Sequence, residues 1–215
     1  MISTPQFEIV IATHNPGKIR EIQQALRSLP VKLRYLNHFP DIPVVNEVGQ
    51  TYAENAALKA IGYAKETGLC TLADDSGLEV EALGGRPGQL SAHFGGEHSS
   101  DLDRIEKLLA AISQSGNPER TARFVCCMAL AGWRARRKQA RGQPRLLTIT
   151  EAICEGEIAP AASGVKGFGF DPLFVPAGYN ATFGELPMEV KRRISHRAKA
   201  LAAIRVFLDS WLAQT

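Results

Sequence analysis

The chain has no apolar run long enough to cross a membrane as a helix. Its longest strongly apolar run, Phe124 to Trp133, has about ten residues, whereas a transmembrane helix needs about 20. The stretch from Met1 to Lys18 has no basic segment followed by an apolar core, so we expect no secretory signal. Internal repeats, low-complexity stretches and linker-like segments are also missing. We therefore expect residues 1–215 to form a single domain with two lobes.

Cysteines are few, and none belongs to a Cys-x-x-Cys pair. Each lies in an apolar, strand-like run of the sequence; they are Cys70, Cys126, Cys127 and Cys154. Disulfides are rare in reducing compartments, where such cysteines are ordinarily buried thiols. The sequence therefore predicts a cytoplasmic protein whose four thiols are buried.

Acidic residues are missing from one segment, and this accounts for the net charge of +3. Between Gly132 and Arg145 the only charged side chains are six cations: Arg134, Arg136, Arg137, Lys138, Arg141 and Arg145. Subtracting these six charges from +3 leaves −3 for the rest of the chain, so the basicity is local. We interpret the segment as a solvated hairpin loop between two strand-like runs, with phosphate binding as the alternative. A nucleic-acid partner is not expected.

Strand-like and helical patterns alternate in the first half of the chain, and two long strand-like runs follow. The predicted strands are Phe7–Thr13, Leu33–Leu36, Cys70–Ala73, Ala122–Ala131 and Leu146–Cys154. Helices are predicted where apolar residues recur every three or four positions: Lys18–Leu29, Thr51–Lys65, Leu102–Ile112 and Ser195–Leu212. This order predicts an α/β fold, with a mixed sheet covered by helices.

The first polar cluster joins the end of a predicted strand to the start of a helix. It consists of Thr13, His14, Asn15, Pro16, Gly17 and Lys18. A hydroxyl, an amide, a lysine and the backbone N–H groups of a helix N-terminus together suit a phosphate. Alternatively, Asn15 is simply the N-cap of the helix. The cluster is not a P-loop, because Ile19 stands where Ser or Thr would bind magnesium.

The second cluster, Asp74 to Gly77, follows a buried strand and begins with two adjacent carboxylates. Asp74 and Asp75 would repel each other unless one is solvated or a cation lies beside them. Magnesium prefers hard oxygen ligands and usually takes one or two carboxylates plus phosphate oxygens. Glu47, on the preceding loop, could add a third carboxylate. The alternative is an Asx turn that breaks the strand.

The third cluster places two aromatic residues and a carboxylate on a glycine-containing turn. Its residues are Gly167, Phe168, Gly169, Phe170, Asp171 and Pro172. A flat aromatic face beside a carboxylate suits stacking and edge recognition of a base. The alternative is a turn whose aromatic rings belong to the core.

The fourth cluster, Lys191 to Arg197, is strongly basic and is expected to open the last helix. Cations at a helix N-terminus face the positive end of the macrodipole, which costs up to about 1 kcal/mol. An anionic partner would explain this placement, and solvation of the long side chains is the alternative. Together the four clusters supply the parts of a nucleoside triphosphate site.

These motifs, taken in order, resemble the inosine triphosphate pyrophosphatases, also called non-standard purine nucleoside triphosphate pyrophosphatases. The resemblance runs from Ile9 to Leu201. It covers the four clusters together with Glu54-Asn-Ala-Ala-Leu-Lys59, Gly84-Gly-Arg-Pro-Gly88 and Ile194-Ser-His-Arg197. It implies a long mixed sheet with two lobes, a substrate cleft and a homodimer. It also implies hydrolysis of inosine and xanthosine triphosphates between the α- and β-phosphates, with Mg²⁺ as cofactor.

The resemblance also implies a role for individual residues. The phosphates are expected at Thr13, Asn15, Lys18 and Lys59, and magnesium at Glu47 and Asp75 with Asp74 adjacent. Asp75 would also be the general base, and Ser76 would contact substrate. The turn from Phe168 through Gly169 and Phe170 to Asp171 would form the base platform, and Lys191, His196 and Arg197 would read the 6-oxo group.

Two segments depart from the family pattern. Many bacterial members read Ser-Ala-Arg-Tyr where this chain has Ser91-Ala-His-Phe94, and Leu186-Pro-Met-Glu-Val stands where two acidic residues are common. Two rival functions remain open at this point. One is a Maf-type pyrophosphatase acting on other modified nucleotides, and the other is a nucleic-acid-binding module that uses the basic segment.

Overall fold

The computed structural model describes residues 7–96, 98–133 and 142–213. The seven strands of these ranges are β1 (Phe7–Ile11), β2 (Val31–Tyr35), β3 (Cys70–Val80), β4 (Pro87–Gly88), β5 (Thr121–Gly132), β6 (Arg145–Ile158) and β7 (Phe174–Pro176). The α-helices are α1 (Pro16–Leu26), α2 (Tyr52–Thr67), α3 (Asp101–Gln114), α4 (Met188–Ile194) and α5 (His196–Ala213). Short 3₁₀ helices lie at Leu36–His38, Glu81–Leu83 and Gln89–His93.

The strands form one mixed sheet, which confirms the predicted α/β fold class. Their order is β2-β1-β3-β5-β6-β7, and β4 pairs with β3 beside this path. β1 runs parallel to both β2 and β3, whereas β4 is antiparallel to β3 and β7 is antiparallel to β6. Consecutive residues of β1, such as Ile9, Val10 and Ile11, are all buried. Both faces of this strand are therefore covered, as expected of a parallel strand flanked by helices.

The described chain divides into two compact units, each assembled from separated segments. The described residues of the first unit fall within 1–75, 127–151 and 200–215, and those of the second fall within 76–126 and 152–199. In the second unit, Leu78 and Val80 of β3, Leu108 of α3, Phe174 of β7 and Phe183 belong to one buried apolar cluster. The expectation of a single domain over residues 1–215 stays a prediction.

One predicted strand boundary is wrong, and the correction bears directly on the site. The sequence pattern ends the strand from Cys70 at Ala73, but β3 continues through Asp74 and Asp75 to Val80. Charged residues are unfavourable in strands, which is why the pattern favours a turn. The strand continues because its last apolar residues, Leu78 and Val80, are fully buried.

The basic segment near the C-terminus also differs from the prediction, since it spans two helices rather than opening one. Ser195 has an extended conformation and separates α4 from α5, and its Oγ accepts the backbone N–H of Ala198 in the first turn of α5. Lys191, Arg192 and Arg193 therefore lie in the last turn of α4. Cations are favourable at that end of the macrodipole, so for these three the expected unfavourable placement is wrong.

Other expectations for the chain have mixed outcomes. The four cysteines are buried thiols, as predicted, and burial raises the pKa of Cys154 to about 11.

β5 and β6 are neighbours in the sheet, but most of the basic segment between them, residues 134–141, lies outside the described residues. Among the residues that the structure describes, no helix is long and apolar enough to span a membrane.

Candidate functional site

The first cluster caps a helix, so one of its two sequence interpretations is realised. Asn15 is the N-cap of α1, and its Oδ1 accepts the backbone N–H groups of Gly17 at 2.8 Å and Lys18 at 3.2 Å. Thr13 Oγ1 accepts the N–H of Asn15 at 3.2 Å. Pro16 has no N–H, and His14 is exposed. The donors left for an anion are therefore the Thr13 hydroxyl, the Asn15 amide group and the Lys18 ammonium.

Two of the carboxylates predicted to bind metal are each paired with a lysine. Lys18 Nζ lies 3.0 Å from Asp74 Oδ1, and the Asp74 side chain is fully buried. Lys59 Nζ lies 2.8 Å from Glu47 Oε2. Burial lowers the pKa of Lys59, but the attraction of Asp74, Glu47 and Asp75 outweighs it, so the pKa lies above its ordinary value. Lys59 is thus held as a cation beside the carboxylates.

Asp75 is a buried carboxylate with a hydrogen-bonded oxygen. Its Oδ2 accepts a hydrogen bond from Asn55 Nδ2 at 3.1 Å, and only 6% of its surface is exposed. Burial raises the pKa of Asp75, and the opposing effects of Lys59, the Asn55 hydrogen bond and Lys18 do not cancel it. A carboxylate with a raised pKa is a better proton acceptor, as a general base requires.

Asn55 is a site residue that the sequence analysis missed. It is 5% exposed, and while its amide group donates to Asp75, its Oδ1 accepts the N–H of Gly49 at 2.8 Å. A Cβ on Gly49 would lie 2.8 Å from Asn55 Oδ1, so this close approach requires glycine. Asn55 therefore ties Asp75 to the loop that carries Glu47. Its spacing of four residues from Lys59 places both on one face of α2, and this was the available signal.

Three carboxylates lie in this cluster, yet they do not form a ready-made metal cage. Within the described part of the chain, no group of three or more His, Cys, Asp or Glu side chains is placed to hold a metal ion. Magnesium usually binds one or two carboxylates and takes its remaining ligands from water and phosphate. Glu47 and Asp75 carry carboxylate oxygens of the kind that such a site would use.

In the second unit, two buried cations lie close to one aromatic ring. Lys191 Nζ lies 4.6 Å from the centroid of Phe168, and the guanidinium carbon of Arg197 lies 5.7 Å from it. Lys191 also pairs with Asp171 Oδ2 at 2.5 Å, and Arg197 Nη2 donates to Ser76 Oγ at 2.7 Å. A chain of contacts thus joins five predicted site residues.

The structure distinguishes the two aromatic residues of the glycine-containing turn. Phe170 is 4% exposed and belongs to the apolar core of the second unit, whereas Phe168 is half-buried. Asp171 Oδ2 accepts the N–H of Phe168 at 2.7 Å. Gly167 has a φ of +79°, and a Cβ there would lie 2.0 Å from the same carboxylate oxygen, so this position requires glycine. Phe168 is therefore the ring available for stacking, while Phe170 anchors the turn.

His196, Phe94 and Leu186 have packing roles. The His196 ring stacks on Phe124 with centroids 4.6 Å apart, and 4% of its surface is exposed. Phe94 packs against the apolar cluster of the second unit, as does Leu186, which precedes α4. His93 is exposed.

A mixed α/β sheet, carboxylates paired with lysines of α1 and α2, and a cation-flanked aromatic ring indicate an enzyme of nucleotide chemistry. The Ham1 family model matches residues 9–207. The chain belongs to the Ham1 family. This match favours the resemblance over the Maf-type rival.

Individual relatives agree with this assignment. The dITP/XTP pyrophosphatase of Syntrophobacter fumaroxidans is 47% identical over 204 residues, covering 95% of this chain and 83% of the relative. That of Geobacillus kaustophilus is 45% identical over 197 residues and covers 92% of each chain. The structure of a HAM1 protein from Coxiella burnetii matches with a TM-score of 0.81 at 37% identity, covering 95% of this chain and 99% of that one.

The raised pKa of Asp75 predicts that this residue lowers stability at neutral pH. Its protonated form fits the fold better than its charged form. Stability is therefore lost as the pH rises from the unfolded pKa through the folded pKa, and the loss is complete above it. We expect Asp75→Asn to melt at a higher temperature than the wild type at pH 7 without metal. The melting temperature should rise by about 2–4 °C for each kcal/mol by which the substitution raises the free energy of unfolding.

The melting experiment has an internal and an external control. The difference between Asp75→Asn and wild type should disappear below the ordinary carboxyl pKa, and Asp41→Asn, at an exposed carboxylate, should not change the melting temperature. A lower melting temperature for Asp75→Asn at pH 7 would show that the ionised carboxylate stabilises the fold through the lysines.

Proposed function

We propose that this chain hydrolyses non-standard purine nucleoside triphosphates, such as dITP, ITP and XTP, to the monophosphate and pyrophosphate. The observation that carries the proposal is the cluster of the first unit, in which Asp75 lies with Lys18, Lys59, Glu47 and Asp74. Membership of the Ham1 family and relatives named dITP/XTP pyrophosphatases support the substrate class. The reaction clears such nucleotides from the pool.

The charge of the cluster supports a requirement for a divalent cation. Its three carboxylates and two lysines carry a formal charge of −1 when all are ionised, so the cluster alone would repel a triphosphate. A divalent cation changes that balance to +1. We propose magnesium, held by Glu47 and Asp75 with Asp74 adjacent; when bound it would polarise the phosphates and neutralise charge on the leaving pyrophosphate.

The chain's own residues supply positioning and proton transfer. Lys18 and Lys59 would exchange their carboxylate partners for phosphate oxygens, and Thr13 and Asn15 would donate to the same phosphates. Asp75 Oδ1 or Oδ2 would accept a proton from the attacking water as it bonds to phosphorus. Because Asn55 holds the Asp75 carboxylate, the base is oriented before substrate arrives.

The second unit is proposed to recognise the base. Phe168 would stack on the purine, and Lys191 and Arg197 would donate hydrogen bonds to its 6-oxo group. Donors that face O6 would leave the N6 amino group of adenine opposite another donor, an unpaired arrangement that costs binding energy. The buried His196 would contribute through its packing against Phe124. Following the family resemblance, we also propose a homodimer that acts in the cytoplasm.

A product analysis tests the reaction. We expect purified protein to release pyrophosphate from inosine and xanthosine triphosphates at much higher kcat/KM than from guanosine or adenosine triphosphate, and only with a divalent cation. Release of orthophosphate instead of pyrophosphate would refute cleavage between the α- and β-phosphates.

The Asp75→Asn variant should lose at least about 10²-fold in turnover, the lower range for general-base contributions.

A selectivity measurement tests the proposed role of Arg197. Arg197→Met keeps the side-chain length and removes its donors, so binding of 6-oxo purines should suffer more than binding of adenine. A lost hydrogen bond to a charged donor is worth about 1.5–3 kcal/mol. We therefore expect the ratio of kcat/KM for inosine over adenosine triphosphate to fall roughly ten- to a hundredfold.

The matched control for Arg197→Met is Arg192→Met, because Arg192 is exposed on α4. The control should leave the substrate ratio unchanged, and melting curves check that each variant folds. If Arg197→Met lowers kcat/KM equally for both substrates, Arg197 serves the phosphates or the fold, and discrimination must arise at the Phe168 turn.

A further inference from the structure

A carboxylate outside every sequence motif holds the turn that carries Phe168. Asp101 is the first residue of α3, and its Oδ2 accepts the backbone N–H of Gly169 at 2.6 Å. The two residues are 68 positions apart in sequence and both belong to the second unit. An N–H donor bonded to an ionised carboxylate forms one of the stronger kinds of hydrogen bond.

The turn needs such an external contact because its glycines give the backbone unusual freedom. Gly169 has a φ of +61°, in the left-handed region that favours glycine, and a Cβ there would meet nothing within 4 Å. On the other side of Phe168, the turn is fixed from within by Asp171 Oδ2, which accepts the N–H of Phe168. The N–H of Asp171 also donates to the carbonyl oxygen of Phe168 at 3.2 Å, so contacts within the turn reach both sides of Phe168. The Asp101 bond holds the N–H of the same Phe168–Gly169 peptide from outside the turn.

Asp101 is itself fixed by an arginine. Arg104 Nη2 pairs with Asp101 Oδ1. The other terminal nitrogen of Arg104 donates to the carbonyl oxygens of Ala92 and Ser99, each at 2.9 Å. Both carboxylate oxygens of Asp101 therefore have partners, and the arginine connects them to the two segments that precede α3.

Capping of α3 does not account for Asp101. The cap is made by Ser100 and Asp103, because Ser100 Oγ accepts the N–H of Asp103 and Asp103 Oδ2 accepts the N–H of Ser100 at 2.7 Å. Asp101 would gain from the helix dipole at this end, but so would any acidic residue of the first turn. The distinguishing feature of Asp101 is its bond to Gly169.

We propose that Asp101 is a positioning residue for base recognition: through Gly169 it fixes the orientation in which Phe168 meets the purine. The inference rests on the proposed function, which assigns base stacking to Phe168. Loss of the Gly169 bond would disturb Phe168 and its contacts with Lys191 and Arg197, whereas Asp75, Lys18 and Lys59 belong to the other unit. The effect should therefore appear in base binding and leave phosphate binding unchanged.

The test compares Asp101→Ala with Asp101→Asn and with the matched control Asp103→Asn. In Asp101→Ala we expect KM for inosine triphosphate to rise roughly tenfold, with kcat within about threefold of wild type. The ratio of kcat/KM for inosine over adenosine triphosphate should fall by a similar factor. Asp101→Asn keeps an acceptor for Gly169 and should restore most of the loss, while Asp103→Asn should match the wild type.

Direct binding makes the test independent of the reaction. Calorimetry should show that Asp101→Ala binds inosine monophosphate roughly tenfold more weakly, while its affinity for pyrophosphate stays at the wild-type value. Equal weakening of both ligands, or no change in either, would overturn the proposal. If the wild type hydrolyses no triphosphate yet its binding of the monophosphate depends on Asp101, the proposed function fails and the positioning role stands.

Discussion

Two consecutive carboxylates, Asp74 and Asp75, lie buried within a continuous strand, and much of the first unit is arranged around that constraint. A buried charge costs several kcal/mol unless it is paired and hydrogen-bonded. Lys18 meets Asp74, and Asn55 meets Asp75. The Asn15 cap fixes the start of the helix that carries Lys18, while α2 carries both Asn55 and Lys59. Because burial still raises the pKa of Asp75, the fold retains a carboxylate that is poised to accept a proton.

The second unit solves a complementary problem, since it buries cations. Lys191 and Arg197 are each 2% exposed. One pairs with Asp171, the other donates to Ser76, and both approach the Phe168 ring. Ser76 follows Asp75 directly on β3, so the proposed base and the residue that contacts Arg197 are consecutive in the chain. This arrangement agrees with the proposal that one set of residues acts on the phosphates and another set selects the base.

The fold class and the positions of the four clusters could be predicted from the sequence, because apolar periodicity and turn composition are local signals. The course of β3 through Asp74 and Asp75 could not, since local propensity disfavours charged residues in a strand and the compensating lysines are distant in sequence. The short helix α4 before Ser195 was missed because its seven residues are largely charged and give no apolar periodicity. Asn55 and Asp101 were missed for a related reason: their partners, Asp75 and Gly169, are 20 and 68 residues away, and only the folded chain brings them together.

We propose that metal and triphosphate replace the carboxylate–lysine pairs together. The metal needs carboxylates that are paired with Lys18 and Lys59, and phosphate oxygens would take over those lysines. Calorimetric titration of Mg²⁺ into the protein tests this most directly, with and without an inosine triphosphate analogue that has a methylene group between the α- and β-phosphates. The account predicts weak binding of Mg²⁺ to the protein alone. Binding should be at least about tenfold tighter with the analogue present, beyond the affinity of the analogue itself for Mg²⁺, which corresponds to about 1.4 kcal/mol of coupling. Equal affinities in the two titrations would contradict it.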